Sequence, residues 1–147
     1  MITGEQFSAE AKRWIGTPYR HQASAFGAGT DCLGLIRGVW RALIGHEPEI
    51  IEAYTSDWLE PTGEEAVLTA ANRWLIPKSL KSTSVGEVIV FRMRDGCVAK
   101  HLGITSEKHG YPTFIHSYTD HGVVESYLSP PWLRRVVGRF AFPQEVK

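Results

Sequence analysis

Cys32, His101 and His116 are the side chains of this chain whose types and order could together carry nucleophilic chemistry. Cys32 opens a stretch whose apolar residues recur at helical spacing. A helix N-terminus gathers backbone N–H groups and the positive end of the macrodipole. A thiol placed there is expected to ionise more readily, and the thiolate is the nucleophile. Such a nucleophile needs a base, and the base needs a third group to hold its ring. Along 97–105, Cys97, Ala99, His101, Gly103 and Thr105 alternate onto one face of a strand, while Val98, Leu102 and Ile104 share most of the other. His101 then projects from the less apolar face, with Gly103 leaving room beside it. His116 falls near the end of the next strand, after Phe114-Ile115. Two imidazoles on neighbouring antiparallel strands come within hydrogen-bonding reach. The reading is Cys32 as nucleophile, His101 as base and His116 as the group that orients it.

Blander readings compete on spacing alone. A strand histidine is usually a satisfied or half-exposed residue, and six histidines allow chance pairings. Cys32, Cys97, His101 and His116 can also be read as zinc ligands. Neither Cys-x-x-Cys nor His-Glu-x-x-His is present. Cys97 and His101 would stand about 13 Å apart on a regular strand, too far to share one ion. Cys97 reads as a small, buried strand residue. His21, His46, His109 and His121 fall in loops, and of these only His21 lies near the expected cleft.

The elements that must position these groups follow from periodicity. Thr3 with Gln6 forms a capping-box pattern ahead of Phe7, Ala11, Trp14 and Ile15, and Gly16 and Pro18 stop this first helix. Cys32, Leu35, Ile36, Val39, Trp40, Leu43 and Ile44 make one apolar stripe over a second helix. Gly34 and Gly38 lie four apart on another face. Each costs a helix about 1 kcal/mol relative to alanine, which implies that backbone or substrate approaches closely there. A third helix is expected from Thr62, capped with Glu65, through Trp74 to a stop at Pro77.

From Ser84 onward the period changes. Val88-Ile89-Val90-Phe91 reads as a strand buried on both faces. Asp95-Gly96 marks a hairpin whose return strand is 97–105. His109-Gly110 and Asp120-His121-Gly122 are further turns, separating strands at 113–117, 123–127 and 135–142. Helices followed by an antiparallel meander define an α+β class.

With 147 residues the chain has the length of one domain, and no repeats or linkers divide it. It is 43% hydrophobic and 22% charged, which excludes disorder and a small disulfide scaffold. Sixteen basic and sixteen acidic residues cancel, and the basic ones are scattered, so the footprint of a nucleic-acid binder is missing. No apolar run approaches membrane-spanning length.

Taken in order, Gly16-Thr17-Pro18-Tyr19, Asp31-Cys32-Leu33-Gly34-Leu35, Gly86-Glu87-Val88-Ile89-Val90-Phe91, His101-Leu102-Gly103-Ile104 and Ile115-His116-Ser117 resemble the motifs of the NlpC/P60 cell-wall peptidases. The tail Ser129-Pro130-Pro131-Trp132-Leu133-Arg134 with Arg139-Phe140 also resembles the end of that domain. The likeness runs from Trp14 to Phe142. It implies a papain-like α+β fold, with the Cys helix packed on a C-terminal antiparallel sheet, and a single catalytic domain over 1–147. It makes 45–84 an insertion, with a helix near 63–76. It also implies a triad of Cys32, His101 and His116, no cofactor, and hydrolysis of peptidoglycan stem peptides at the bond between D-γ-glutamate and a diamino acid. Tyr19 and Asp31 match substrate-binding positions of the family, Asp31 at the amino end of the stem peptide. Relatives usually carry Ser after the Cys, a substrate-binding position whose hydroxyl helps hold the amino end, and this chain has Leu33 there. Arg20 to Phe26 replaces their glycine-rich loop.

The start Met1-Ile2-Thr3-Gly4-Glu5-Gln6 lacks a basic region followed by an apolar one, so synthesis in the cytoplasm without a signal peptide is expected. Enzymes of this kind without a wall-binding module resemble the phage and gene-transfer-agent cell-wall peptidases. On that resemblance the partners are peptidoglycan and phage-tail proteins, and the location is a tail particle that delivers the enzyme to the wall. Two other classes remain open: a non-hydrolytic tail-assembly protein keeping the fold, and a Cys–His amidase or acyltransferase acting on another substrate.

Overall fold

A computed structural model of the chain describes residues 2–48, 66–93 and 101–143. The N-terminal capping box forms as the sequence indicates. The Gln6 amide donates to the Thr3 hydroxyl at 3.2 Å, and the Thr3 amide donates to the Gln6 side chain at 2.8 Å. Helix α1 (Gly4–Arg13) buries Phe7 and Ala11, with Trp14 just beyond its end, and leaves Ile15 exposed. A short hairpin of β1 (Ser24–Ala25) and β2 (Gly29–Thr30) precedes α2 (Cys32–Leu43). Two-residue strands carry no readable period, and this hairpin had no sequence signal. Helix α2 buries Leu35, Ile36, Val39 and Trp40 of the predicted stripe.

Helix α3 (Ala66–Trp74) is shorter than expected at its C-terminal end, because the chain straightens into β3 (Ile76–Lys78). Pro77 therefore sits in a strand. It is tolerated there because β3 is the edge of the sheet, paired only with the last strand. The expected cap at Thr62 and Glu65 lies outside the described residues, as do the Asp95-Gly96 turn and Cys97.

Strands β4 (Glu87–Phe91), β5 (His101–Lys108), β6 (Tyr111–Tyr118) and β7 (Gly122–Tyr127) form the meander. A single helical turn, α4 (Pro130–Leu133), separates it from β8 (Val136–Ala141). The six-stranded sheet is antiparallel, in the order β3-β8-β4-β5-β6-β7. His109 and Gly110 turn β5 into β6 with φ of 55° and 82°, the left-handed pair that a tight hairpin requires.

Every residue of β4 is buried, because the sheet is covered on both sides. Val88 and Val90 join Leu102, Ile104, Ile115 and Phe140 against α1 and α2. Ile89 and Phe91 join Phe114 and Leu128 on the opposite side, where Trp132 of α4 packs over them. The two α2 glycines are explained by neighbours within the fold. A Cβ at Gly34 would run into the Ala23 carbonyl and the Thr30 hydroxyl, and one at Gly38 into the Trp14 indole.

Gly→Ala in a helix ordinarily gains about 1 kcal/mol. Gly38→Ala is expected to do the reverse and destabilise by about 1–3 kcal/mol, the cost of overpacking a filled interior. Urea unfolding checks this, and a raised midpoint would overturn the packing account.

Candidate active site

The site begins at Asp31, the N-cap of α2. Its buried carboxylate accepts the Gly34 amide on one oxygen and the Gln22 amide on the other, each at 2.7 Å. The same side chain thus starts the helix and holds the loop before it. The preceding residue is held as tightly. The Thr30 amide donates to the Pro18 carbonyl, while the Thr30 carbonyl accepts from the Arg20 amide and, at 2.7 Å, from the Ser117 hydroxyl. Gly16 and Thr17 are joined in turn to Val123 by two backbone hydrogen bonds. The Gly16–Tyr19 turn is therefore sewn between β2 and the start of β7.

Cys32 follows as the first helical residue, a partly exposed free cysteine. The backbone amides of Leu102 and Leu33, together with its own, favour the thiolate. Burial opposes them most strongly, and the Asp31 charge adds to it, so the thiol is pushed up to about 12. This corrects the expectation from the helix terminus alone. The residue that caps the helix is an anion next to the sulfur, and its charge and desolvation together outweigh the amides.

The Leu102 amide belongs to the peptide that joins it to His101, so the sulfur sits at the base of that histidine. His101 Nε2 lies 2.8 Å from His116 Nδ1, and both residues are buried. The register explains the contact. Ile104 pairs with Ile115, and continuing that ladder sets Gly103 opposite His116, with His101 two residues away on the same face. Gly103 does not leave the open space expected of it. A Cβ there would stand 3.4 Å from the Cβ of His116 and 3.0 Å from the Phe114 ring.

Nor is the His101 face the less apolar one. Phe91, Phe114, Tyr118 and Trp132 surround the two imidazoles at ring separations of 4.2 to 6.0 Å. Burial among these rings lowers His101 to about 4. It lowers His116 to about 3, with the neighbouring His101 and His121 adding to the effect. At neutral pH the Cys32 thiol and both imidazoles are therefore uncharged.

Tyr19 is bridged to Thr30 across β2, and its phenol hydrogen-bonds the Thr119 side chain. Burial raises the phenol above its ordinary value, and the charges of Asp31 and Cys32 raise it further, so the ring lies in their field. Leu33 turns its side chain toward an apolar pocket between α2 and α3, shared with Ile36, Ala71, Trp74 and Leu102. Its amide, rather than its side chain, reaches the sulfur. His21 lies 3.9 Å from the Asp31 carboxylate.

Three residues to which the sequence assigns no role stand here, and His121 corrects the expectation that His21 is the only loop histidine near the cleft. Ser126 on β7 lies 2.9 Å from His116 Nε2, Trp132 roofs the histidine pair, and His121 stands near His116. Strand alternation could have flagged Ser126, since Phe114 pairs with it and lies on the face of His116. No local pattern points to Trp132. Among the described residues, no three His, Cys, Asp or Glu groups converge as metal ligands would. Nor is any helix there long and apolar enough to cross a membrane.

No family model matches the chain, and no curated protein matches its sequence. Solved structures match its fold. The NlpC/p60 domain of the peptidoglycan hydrolase SagA superposes with a TM-score of 0.64 at 20% identity, over 96% of this chain and 100% of that one. An NlpC/P60 family protein from Bacillus cereus gives 0.65 at 17%, over 96% of this chain and 40% of that one. A lipoprotein-like NLP/P60 protein from Staphylococcus aureus gives 0.58 at 19%, over 95% of this chain and 41% of that one. The chain therefore spans about two fifths of the latter two proteins. It has the papain-like NlpC/P60 fold, in the α+β class.

The lowered imidazoles make stability depend on pH. An unfolded chain takes up protons near 6.5, whereas the folded one resists until about 4 and about 3. Stability is then complete above about pH 6.5 and falls as the pH drops toward the folded values, by on the order of 3 kcal/mol for each imidazole at pH 4. Urea unfolding at pH 7 and pH 4 should show a smaller loss for the His101→Asn/His116→Asn double variant than for wild type. Equal losses would refute the buried neutral pair.

Proposed function

We propose that this protein is a cysteine endopeptidase that hydrolyses peptidoglycan stem peptides, acting through Cys32, His101 and His116. The observation that carries the reading is the buried His101–His116 hydrogen bond, set one peptide from the amide that holds the Cys32 sulfur. The NlpC/p60 domain of the peptidoglycan hydrolase SagA, whose whole length this chain's fold covers, supports the substrate class.

The chemistry follows from these groups. His116 occupies His101 Nε2, so Nδ1 is the nitrogen left for the thiol. A thiol raised to about 12 and an imidazole lowered to about 4 do not form an ion pair at rest. Proton transfer from Sγ to His101 Nδ1 therefore accompanies attack on the substrate carbonyl carbon, as general-base catalysis. The Cys32 and Leu33 amides, which converge on the sulfur, are the donors for the oxyanion that forms beside it. Collapse breaks the C–N bond, and the departing amine takes the proton from His101. Water then gives a proton to the same nitrogen as it attacks the thioester. Collapse of that second tetrahedral species releases the acid, and the proton returns to Sγ.

The Asp31 charge and the Tyr19 phenol make one end of the cleft suited to an ammonium or amide N–H of the stem peptide. Leu33 gives an apolar wall where a hydroxyl is usual in the resembled family, which favours a substrate end recognised by shape. The bond between D-γ-glutamate and a diamino acid is the proposed point of cleavage. Delivery by a phage-like tail is the proposed setting, from the same resemblance.

Digestion of defined muropeptides, read by mass spectrometry, tests this. Wild type should release split stem peptides, Cys32→Ala should lose at least about a thousandfold in rate, and His116→Ala should fall between them. Equal product from wild type and Cys32→Ala would overturn the proposal.

A further inference from the structure

The two histidines form a chain with two proton settings, and its far end is a serine. His101 Nε2 is 2.8 Å from His116 Nδ1, and His116 Nε2 is 2.9 Å from Ser126 Oγ. A neutral imidazole carries one N–H and one acceptor nitrogen. If His116 Nε2 carries the proton and donates it to Ser126, then His116 Nδ1 accepts from His101 Nε2–H. His101 Nδ1 is then an acceptor and can serve as a base. If Ser126 donates instead, His116 Nδ1–H points at His101 Nε2. His101 then carries its proton on Nδ1 and cannot take one from a thiol.

We infer that Ser126 is a positioning residue of the catalytic chain: by accepting from His116 Nε2–H it holds both histidines in the tautomer that leaves His101 Nδ1 basic. The inference rests on the proposed Cys32–His101–His116 mechanism, but the proton setting is a property of the resting protein.

The surroundings make the serine's hydroxyl hard to replace. Phe114, Tyr118 and Trp132 crowd His116, which is 1% exposed, so its Nε2–H has little access to water. A buried donor without an acceptor is costly, and moving the proton to Nδ1 relieves that cost. Removing the hydroxyl therefore drives the pair toward the inactive setting. The serine also supports the charged state. When His101 has taken the thiol proton, its Nε2–H still donates to His116 Nδ1, and Ser126 still accepts at the other end. Ser126 lies on β7, opposite Phe114 on β6, so the sheet register fixes its place at the end of the chain.

Nitrogen-15 NMR of the histidine side chains in resting wild type should show His101 and His116 both as Nε2–H tautomers. Ser126→Ala should move the pair toward Nδ1–H and lower kcat at least about tenfold, the direction in which a wrong tautomer acts, with KM within twofold. Ser126→Thr keeps a hydroxyl and should restore the Nε2–H tautomers and most of kcat. Wild-type His116 carrying its proton on Nδ1 would overturn the inference. So would Ser126→Ala with unchanged tautomers, whatever its rate. Failure of the underlying mechanism shows separately, as hydrolysis that survives Cys32→Ala, because the tautomers are read without substrate.

Discussion

The Asp31 carboxylate is the constraint on which the rest of the site depends. Its two oxygens take one amide from inside the Cys32 helix and one from the loop before it. Helix start and loop are thereby locked together by a group that is itself buried. The loop carries Tyr19 toward the sulfur, and Thr30, one residue before the carboxylate, receives the Ser117 hydroxyl from β6. The start of α2 is thus tied to the loop before it and, through Thr30, to the strand that holds His116. The same carboxylate brings a negative charge to the Cys32 sulfur.

That charge and the surrounding burial define the chemical character of the site. Helix N-terminal cysteines are usually discussed as preformed thiolates, on the ground that the dipole favours the anion. In this protein three amides do favour the thiolate, but desolvation and Asp31 act against them. Across the cleft, aromatic rings lower both imidazoles. Exclusion of water is the largest cause that keeps the Cys32 thiol and both imidazoles neutral, with the Asp31 charge adding to it at the sulfur. The proposed reaction then moves a proton at the moment of attack instead of storing separated charge beforehand.

Water is excluded because the sheet is covered on both faces. Helices α1 and α2 cover one, and a single turn with Pro130 at its start lays Trp132 over the other. His101 and His116 belong to this second aromatic layer, so the element that dries the site is short and distant from it in sequence. Around the Cys32 sulfur lie an aromatic layer, a histidine pair running to Ser126 and the buried Asp31 carboxylate.

Much of this was legible from local pattern. The Thr3–Gln6 capping box, the α2 stripe, the two-faced burial of β4 and the His109-Gly110 turn all depend on neighbours a few residues apart, and each formed as its residues indicate. Alternation put His101 on one face of β5, but its meeting with His116 on β6 depends on the register between the two strands. What only the tertiary structure decided depends on contacts between distant segments. The close approach of Ala23 and Trp14 makes Gly34 and Gly38 necessary, and pairing to β8 turns Pro77 from a helix stop into an edge strand. The roof of Trp132 and the serine behind His116 arise where β6, β7 and α4 meet. The ionisation of Cys32 belongs to this second group. A helix terminus can be read from the sequence, but desolvation is set by everything packed around the sulfur, and here it reverses the sign that the terminus alone would give.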